Sequence, residues 1–422
     1  MEAVGVMKLV HAADLHLDSP LSGLERYEGA PVERIRGATR RALSNLVQLC
    51  LEEDAKLLLL AGDLYDGSWK DYSTGLFFSQ QMARLAREGC RVAWIRGNHD
   101  AASQITQHLV LPEGVTELPF KKPGTVRYED LGIAVHGQGF KTREVTERLA
   151  ESYPEPEPGA LNIGLLHTSL SGRPGHAPYA PCTADMLSHR GYDYWALGHV
   201  HAREVVSERP FIVFPGNLQG RHARETGDKG ATVVSVDGRR VAGIEHRALD
   251  VVRWGRLEVN AAECASLDDV LERVGEALAE ARDDAEGRLL CVRLEITGAS
   301  RAHAELERDP EALRANVLSI AGDVGARELW VEKVRVKTRP PSDLSLGEDV
   351  VGQVARAFAA LQGDDAAVAE LAEELAPLLQ KLPAELKSAA DGRRHDDPNA
   401  VTQALADAER MVLTLLTSGG RS

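Results

Sequence analysis

The sequence predicts an α/β protein, and two observations carry that prediction. From Met7 to about Leu249 short apolar runs alternate with amphipathic helical stretches, and several of the runs end in clusters of Asp, His, Asn and Gly. Alternating strands and helices build layers, and polar side chains at the carboxyl ends of strands lie where open α/β sheets place their sites.

The elements follow in order. MKLVHAAD reads as a first strand, RIRGATRRALSNLVQLCLEE as a helix, KLLLLAGD as a second strand, LFFSQQMARLAREG as a helix and RVAWIRGNHD as a third strand with its loop. LGIAVHG, LNIGLLHT, YDYWALGH, FIVFPGN and ATVVSVDG supply further strands. A second region, residues 250–339, reads as a small α+β module: strand VVRWGRLEVN, helix LDDVLERVGEALAEARDD, strand RLLCVRLEITG, a helix near PEALRANVLSIAG and strand ELWVEKVRVKTR. The paired prolines of RPPSD at 339–343 break that pattern, because proline neither continues a helix nor donates to a ladder. Residues 340–422 are rich in Ala, Leu and Glu. Val350, Val351, Val354, Phe358 and Leu361 recur at helical spacing, as do Leu371, Leu375, Leu378 and Leu379, and a last helix is expected over about 400–417, after a linker at HDDPN, 395–399. Such a stripe is more often internal packing than a groove for a partner. The expected division is therefore 1–249, 250–339 and 340–422.

With 422 residues, 43% hydrophobic and 27% charged, the chain is long enough for two or three domains of ordinary globular type. Its net charge of −15 argues against a protein that coats nucleic acid through a general positive field, so a polyanion would have to be met locally. Arg34, Arg36, Arg40 and Arg41 on one expected helix, and Arg221, His222 and Arg224, are the local candidates; a solvated helix face is the competing reading of the first set. The five cysteines, Cys50, Cys90, Cys182, Cys264 and Cys291, form no CxxC pair, which points to reduced thiols rather than a zinc or redox motif. Without a basic start followed by a long apolar stretch, and without about 18 uninterrupted apolar residues anywhere, no membrane association and a cytoplasmic location are expected.

Five polar clusters follow apolar runs: Asp14 and His16 as D-L-H, Asp63 in GDLYD, Asn98, His99 and Asp100 in RGNHD, His167 after LNIGLL, and His199 and His201 in GHVH. Each alone is a weak signal, and a single histidine is usually a hydrogen-bonded or exposed one. Together they would make a poor core, because buried unpaired polar groups cost several kcal/mol apiece. Carboxylate, amide and imidazole at converging strand ends are instead the donor set of a site for Zn, Mn, Fe, Co or Ni.

That ordered set resembles the calcineurin-like metallophosphoesterase superfamily over about residues 7–222. HLDSP at 16–20, GDLYD, RGNHD, GHVH and PGNLQGRH at 215–222 further resemble DNA repair exonucleases of the SbcD/YhaO type. The resemblance implies a layered metallophosphoesterase β-sandwich flanked by helices, with a small α+β capping domain and a helical C-terminal tail. It implies two divalent metal ions, with Mn²⁺ preferred. One would be held by Asp14, His16, Asp63 and His201, the other by Asp63, Asn98, His167 and His199, with Asp63 as the bridge. His99 would stabilise the transition state or protonate the leaving oxygen, with Asp100 behind it. Some nucleases of the group carry a second histidine three residues after the bridging aspartate, where this chain has Asp66.

Two cations about 3.5–4 Å apart lower the pKa of a water and neutralise charge developing on phosphoryl oxygens, with no covalent protein intermediate. The function expected by resemblance is a DNA exonuclease or endonuclease. Hydrolysis of a small or protein phosphoester needs the same ions without the extra modules, and a scaffold would need no complete ligand set. By the same resemblance the C-terminal helices would dock on an SbcC-like SMC-family ATPase, and a homodimer is allowed; the chain has no Walker motif of its own.

Overall fold

The structure is a computed structural model, and it describes residues 6–19, 29–66, 72–102, 111–170, 179–325, 327–341, 350–380 and 398–418. The chain divides into two compact units. One comprises residues 1–256, 279–293 and 321–333, the other 257–278, 294–320 and 334–422. The chain therefore passes between the units at 256/257, 278/279, 293/294, 320/321 and 333/334.

The first unit is built on two six-stranded sheets. The first runs β12-β11-β1-β2-β3-β4, the second β5-β6-β7-β8-β10-β9. Strands β1 (Met7–Ala12), β2 (Leu57–Leu60), β3 (Arg91–Trp94) and β4 (Val115–Glu117) are parallel, and β11 (Gly230–Asp237) and β12 (Arg240–Ala248) extend the sheet antiparallel. In the second sheet β6 (Ile133–Gly137), β7 (Leu161–His167), β8 (Tyr194–Gly198) and β10 (Phe211–Phe214) are parallel, with β5 (Gly124–Tyr128) and β9 (Glu204–Glu208) antiparallel at its edges.

The period of two along a strand explains the layering. In β2, Leu57 and Leu59 enter a core shared with Ile133, Ile163, Leu165 and Val213 of the other sheet, whereas Leu58 and Leu60 face the opposite way, towards Leu43, Leu46, Phe78 and Met82. Those last four belong to α2 (Ala38–Glu52) and α3 (Tyr72–Arg87), which cover the outer face. The outer face of the second sheet packs Trp195, Leu197 and Phe214 against Leu187 of α5 (Ala184–His189), Leu149 and Tyr153. The result is a helix, sheet, sheet, helix sandwich, the expected class.

Register decides where the loops meet. Ala12 and Trp94 both pair with Leu60, so β1, β2 and β3 end level, and His167 pairs with Gly198 at the end of the second sheet. All five polar clusters therefore emerge at one end of the sandwich.

The expected helix over 34–53 is interrupted at Gly37, giving α1 (Val32–Arg36) and α2; glycine is about 1 kcal/mol less favourable than alanine inside a helix. Strands β5, β9 and β12 went unread in the sequence because edge strands such as EVVSE carry little apolar pattern. In the C-terminal unit, α6 (Leu267–Asp284) starts at a reciprocal cap: Asp269 Oδ2 accepts from Ala265 N and Ser266 N, and Ser266 Oγ accepts from Asp269 N. The tail forms α9 (Val350–Gln362), α10 (Asp365–Gln380) and α11 (Pro398–Ser418), so the expected linker at 395–399 lies partly in a helix and partly outside the described residues. Phe358 and Leu371 pack with Val368, Val401 and Leu405, which spends part of the apolar stripe internally. The side chains of Val350, Val351, Leu378 and Leu379 lie outside the described residues. Leu361, Met411 and Leu416 are exposed.

Candidate metal centre

The loops after β1 and β2 zip together through the backbone. Asp14 N donates to Gly62 O at 3.0 Å, His16 N to Asp63 O at 3.0 Å and Leu17 N to Leu64 O at 2.9 Å. The polar residues of this pairing have unusual backbone, with φ of 52°, 42° and 53° at Asp14, His16 and Asp63, and His199, whose N–H donates to the Asp14 carboxylate, has φ of 99°. A non-glycine residue in that region costs on the order of 1–3 kcal/mol and persists only where its surroundings hold it. Glycines clear the space beside them. A Cβ on Gly97 would collide with Asp63 Oδ1, and one on Gly62, itself at φ 93°, would lie 2.6 Å from His167 Nδ1.

Three groups of donors result: Asp14, His16 and His201; His16, Asp63 and His99; and Asp63, His167 and His199, each within 4.8 Å of one another. Asp63 Oδ2 stands 3.5 Å from His167 Nε2 and 3.9 Å from His16 Nε2. Asn98 Oδ1 lies 3.0 Å from His167 Nε2, and His201 Nε2 lies 3.2 Å from His16 Nε2 and 3.9 Å from Asp14 Oδ1. The seven residues expected to hold metal are thus brought together.

Their hydrogen bonding fits a divalent cation. His167 donates its Nδ1 hydrogen to Ala61 O at 2.8 Å, so the neutral ring turns the lone pair of Nε2 towards two acceptor oxygens. His201 donates Nδ1–H to Glu225 Oε1 at 2.7 Å, which likewise leaves Nε2 as a lone pair facing His16. Among the described residues neither Asp14 nor Asp63, both buried, has a lysine or arginine partner. Burial pulls the pKa of His167 down, but the Asp63 and Asp14 carboxylates outweigh it and raise it to about 9. Burial, with Arg221 next, holds His16 neutral at about 3. Asp14 is pushed up by burial, and Asp63 is held down by His167 and His16 in spite of it.

His99 departs from its expected partner. Its ring donates Nδ1–H to Asp66 Oδ1 at 2.9 Å, and Asp66 also accepts from Ser19 Oγ at 2.6 Å. The hydrogen bond to Asp66 raises the pKa of His99. Asp100 does not stand behind that ring: its Oδ1 accepts from Leu64 N and Tyr65 N at 2.9 and 3.0 Å, its Oδ2 from Gly97 N at 2.9 Å. The expectation is corrected, because three backbone amides of the GDLYD and GNHD turns occupy the carboxyl group. Burial raises it to about 7, a cost those amides partly offset.

Glu225 is the member of the site that sequence reasoning missed. Besides His201, it accepts from Asn217 Nδ2 at 3.0 Å and Arg221 N at 2.7 Å. It follows no apolar run and sits in the irregular segment between β10 and β11, so no local signal marks it. The segment is held by residues 251–254, which come after β12. Gln219 Oε1 accepts from Val251 N at 2.9 Å, its amide donates to Val252 O, and Trp254 Nε1 donates to Gly220 O at 3.1 Å.

Three members of the basic set on the helix have partners within the chain. Arg40 pairs with Asp18 and Ser73, Arg41 donates to Arg34 O at 2.7 Å, and Arg34 donates to Arg327 O. Arg221, by contrast, lies at the site.

Facing sheets with Asp, Asn and His converging at one end define a calcineurin-like phosphoesterase, and the family model "Calcineurin-like phosphoesterase" matches residues 7–203. A second model, "Metallophosphoesterase YhaO, middle domain", matches residues 254–339. The metallophosphoesterase YhaO of Bacillus subtilis (strain 168) is 34% identical over 296 residues, 69% of this chain and 72% of its own length. The chain belongs to the YhaO family of calcineurin-like metallophosphoesterases. The DNA double-strand break repair protein Mre11 of Methanopyrus kandleri is 25% identical over 332 residues, 71% of this chain and 67% of its own. Among solved structures, a dimetal phosphatase from Danio rerio aligns with 58% of this chain and 96% of its own at 12% identity and a TM-score of 0.34. As a member of that family this chain is a hydrolase of phosphoester bonds, and among its described residues no helix is long and apolar enough to cross a membrane.

Proposed function

We propose that this protein is a DNA phosphodiesterase working with two divalent ions. The observation that carries the reading is Asp63 Oδ2, at 3.5 and 3.9 Å from imidazole nitrogens of two separate donor groups, where one carboxylate can serve both. Asp14, His16 and His201 with Asp63 would hold one ion, and Asn98, His167 and His199 with Asp63 the other. Mn²⁺ is the ion we favour. When bound, the pair supplies an acidified water and neutralises phosphoryl charge.

The chain's own residues do the rest. Ala61 O and Glu225 fix the tautomers of His167 and His201, so that Nε2 of each is presented unprotonated. Asp66 holds the proton on Nδ1 of His99, orients the ring and raises its pKa, which suits His99 to donate a proton to the departing oxygen. DNA as the substrate is supported by the Mre11 relative, a DNA repair protein. The module at 250–339 would then restrict which DNA ends enter. An SbcC-like ATPase on the exposed apolar residues of the tail helices, a homodimer and a cytoplasmic location belong to the same proposal.

The test is hydrolysis of end-labelled linear DNA beside bis-p-nitrophenyl phosphate, with Mn²⁺, with EDTA and with His99→Ala. Metal-dependent DNA shortening abolished in the variant supports the reading. Cleavage of the small diester alone rejects DNA in favour of a small substrate, and no turnover with any divalent metal rejects the enzyme.

A further inference from the structure

The guanidinium of Arg221 bridges two of the carboxylates that position histidines. Its Nη2 lies 3.2 Å from Glu225 Oε1, behind His201, and its Nη1 lies 3.8 Å from Asp66 Oδ2, behind His99. It therefore stands on the arc that joins the expected proton donor to an expected metal ligand.

Its hydrogen bonds are incomplete. An arginine has five N–H donors. Nη2 is used on Glu225; its 3.4 Å approach to His201 Nδ1 is no acceptor contact, because that nitrogen donates to Glu225. The Asp66 oxygen is beyond hydrogen-bond reach of Nη1 and already accepts from Ser19. Nε is buried without a partner, and the side chain is 14% exposed. A largely buried cation with unspent donors beside a cluster built for cations is costly unless an anion arrives. Arg221, rather than the helix arginines, is the one whose guanidinium reaches the carboxylates behind His99 and His201.

Resting on the phosphodiesterase reading, we propose that Arg221 is a phosphate-binding residue of the site, giving its free N–H groups to a non-bridging oxygen of the phosphodiester whose leaving oxygen faces His99. The planar fork suits this, holding Glu225 with one nitrogen and the phosphate with another. It also answers how a chain of net charge −15 receives a polyanion: the cation is placed at the reacting phosphate rather than spread over the surface.

The experiment is calorimetric binding of inorganic phosphate to the Mn²⁺-loaded full chain, with melting temperature and metal content measured alongside. Arg221→Gln is expected to weaken phosphate binding about tenfold or more, and Arg221→Lys about three- to tenfold, because a point charge cannot span both partners. Unchanged phosphate affinity in a folded, metal-loaded Arg221→Gln overturns the proposal. Should that variant not fold, unchanged affinity in Arg221→Lys overturns it. The two readings fail separately: phosphate held through Arg221 by a protein that cleaves no DNA sinks only the DNA substrate, and DNA cleavage with normal phosphate binding in the variants sinks only Arg221.

Discussion

Asp66 Oδ1 lies 2.9 Å from His99 Nδ1. The carboxylate anchors the imidazole expected to donate the proton. Asp66→Asn should lower kcat on bis-p-nitrophenyl phosphate roughly 10- to 100-fold with little change in KM. Because the bond to Asp66 raises the pKa of His99, its loss should also move the basic limb of the kcat profile to lower pH. A variant with wild-type kcat and an unmoved limb rules out this role.

Glu225→Gln removes the charge that fixes His201 while keeping the shape of the side chain. Metal affinity, measured by competition with a chromophoric chelator, should fall about 10- to 100-fold. Wild-type affinity would leave Glu225 a structural residue only.

Gly97→Ala places a methyl group on Asp63 Oδ1 and 2.7 Å from Asp63 N. Asp63 must move, so metal content and activity should both collapse while far-ultraviolet circular dichroism stays close to wild type. Full metal content would show that the turn yields at no cost to Asp63.

His11 is buried between the sheets, accepting from Tyr194 OH at 3.0 Å through Nδ1 and donating to Leu197 O at 3.1 Å through Nε2. Burial lowers its pKa from 6.5 to about 3. The unfolded chain therefore binds the extra proton between these values, so this contribution to stability is complete above pH 6.5 and lost as pH falls towards 3. At pH 5 the loss should be about 2 kcal/mol, and His11→Asn should remove that part of the slope in urea titrations of the EDTA-treated protein at pH 5 and 7.5. An identical slope in the variant refutes the assignment.

Much of the fold was legible because apolar runs such as LLLL and LNIGLLH are buried on both faces, and a run followed by Asp or His declares both strand and site. The residues of the polar cluster were legible for the same reason. The partners of that set were not: Asp66 and Asp100 both look like carboxylates near His99, and only the backbone path decides which one meets its ring. Glu225 and Arg221 lie in irregular chain, and their roles depend on distances across more than 20 residues of sequence, as from Glu225 to His201. For the helix arginines, spacing gives a face but not the Asp18 carboxylate or the Arg327 carbonyl that meets Arg40 and Arg34.

The grip of Gln219 and Trp254 on the Glu225 segment bears on how this enzyme can be dissected or inherited. Val252 and Trp254 belong to the strand the sequence assigns to the next module, yet they share a buried cluster with Ala223, Leu289, Cys291 and Trp330. A chain shortened to residue 249 would keep every expected ligand and lose the floor beneath His201. Recombination at the apparent border would deliver a protein with its expected ligands in sequence but one of them without its anchor.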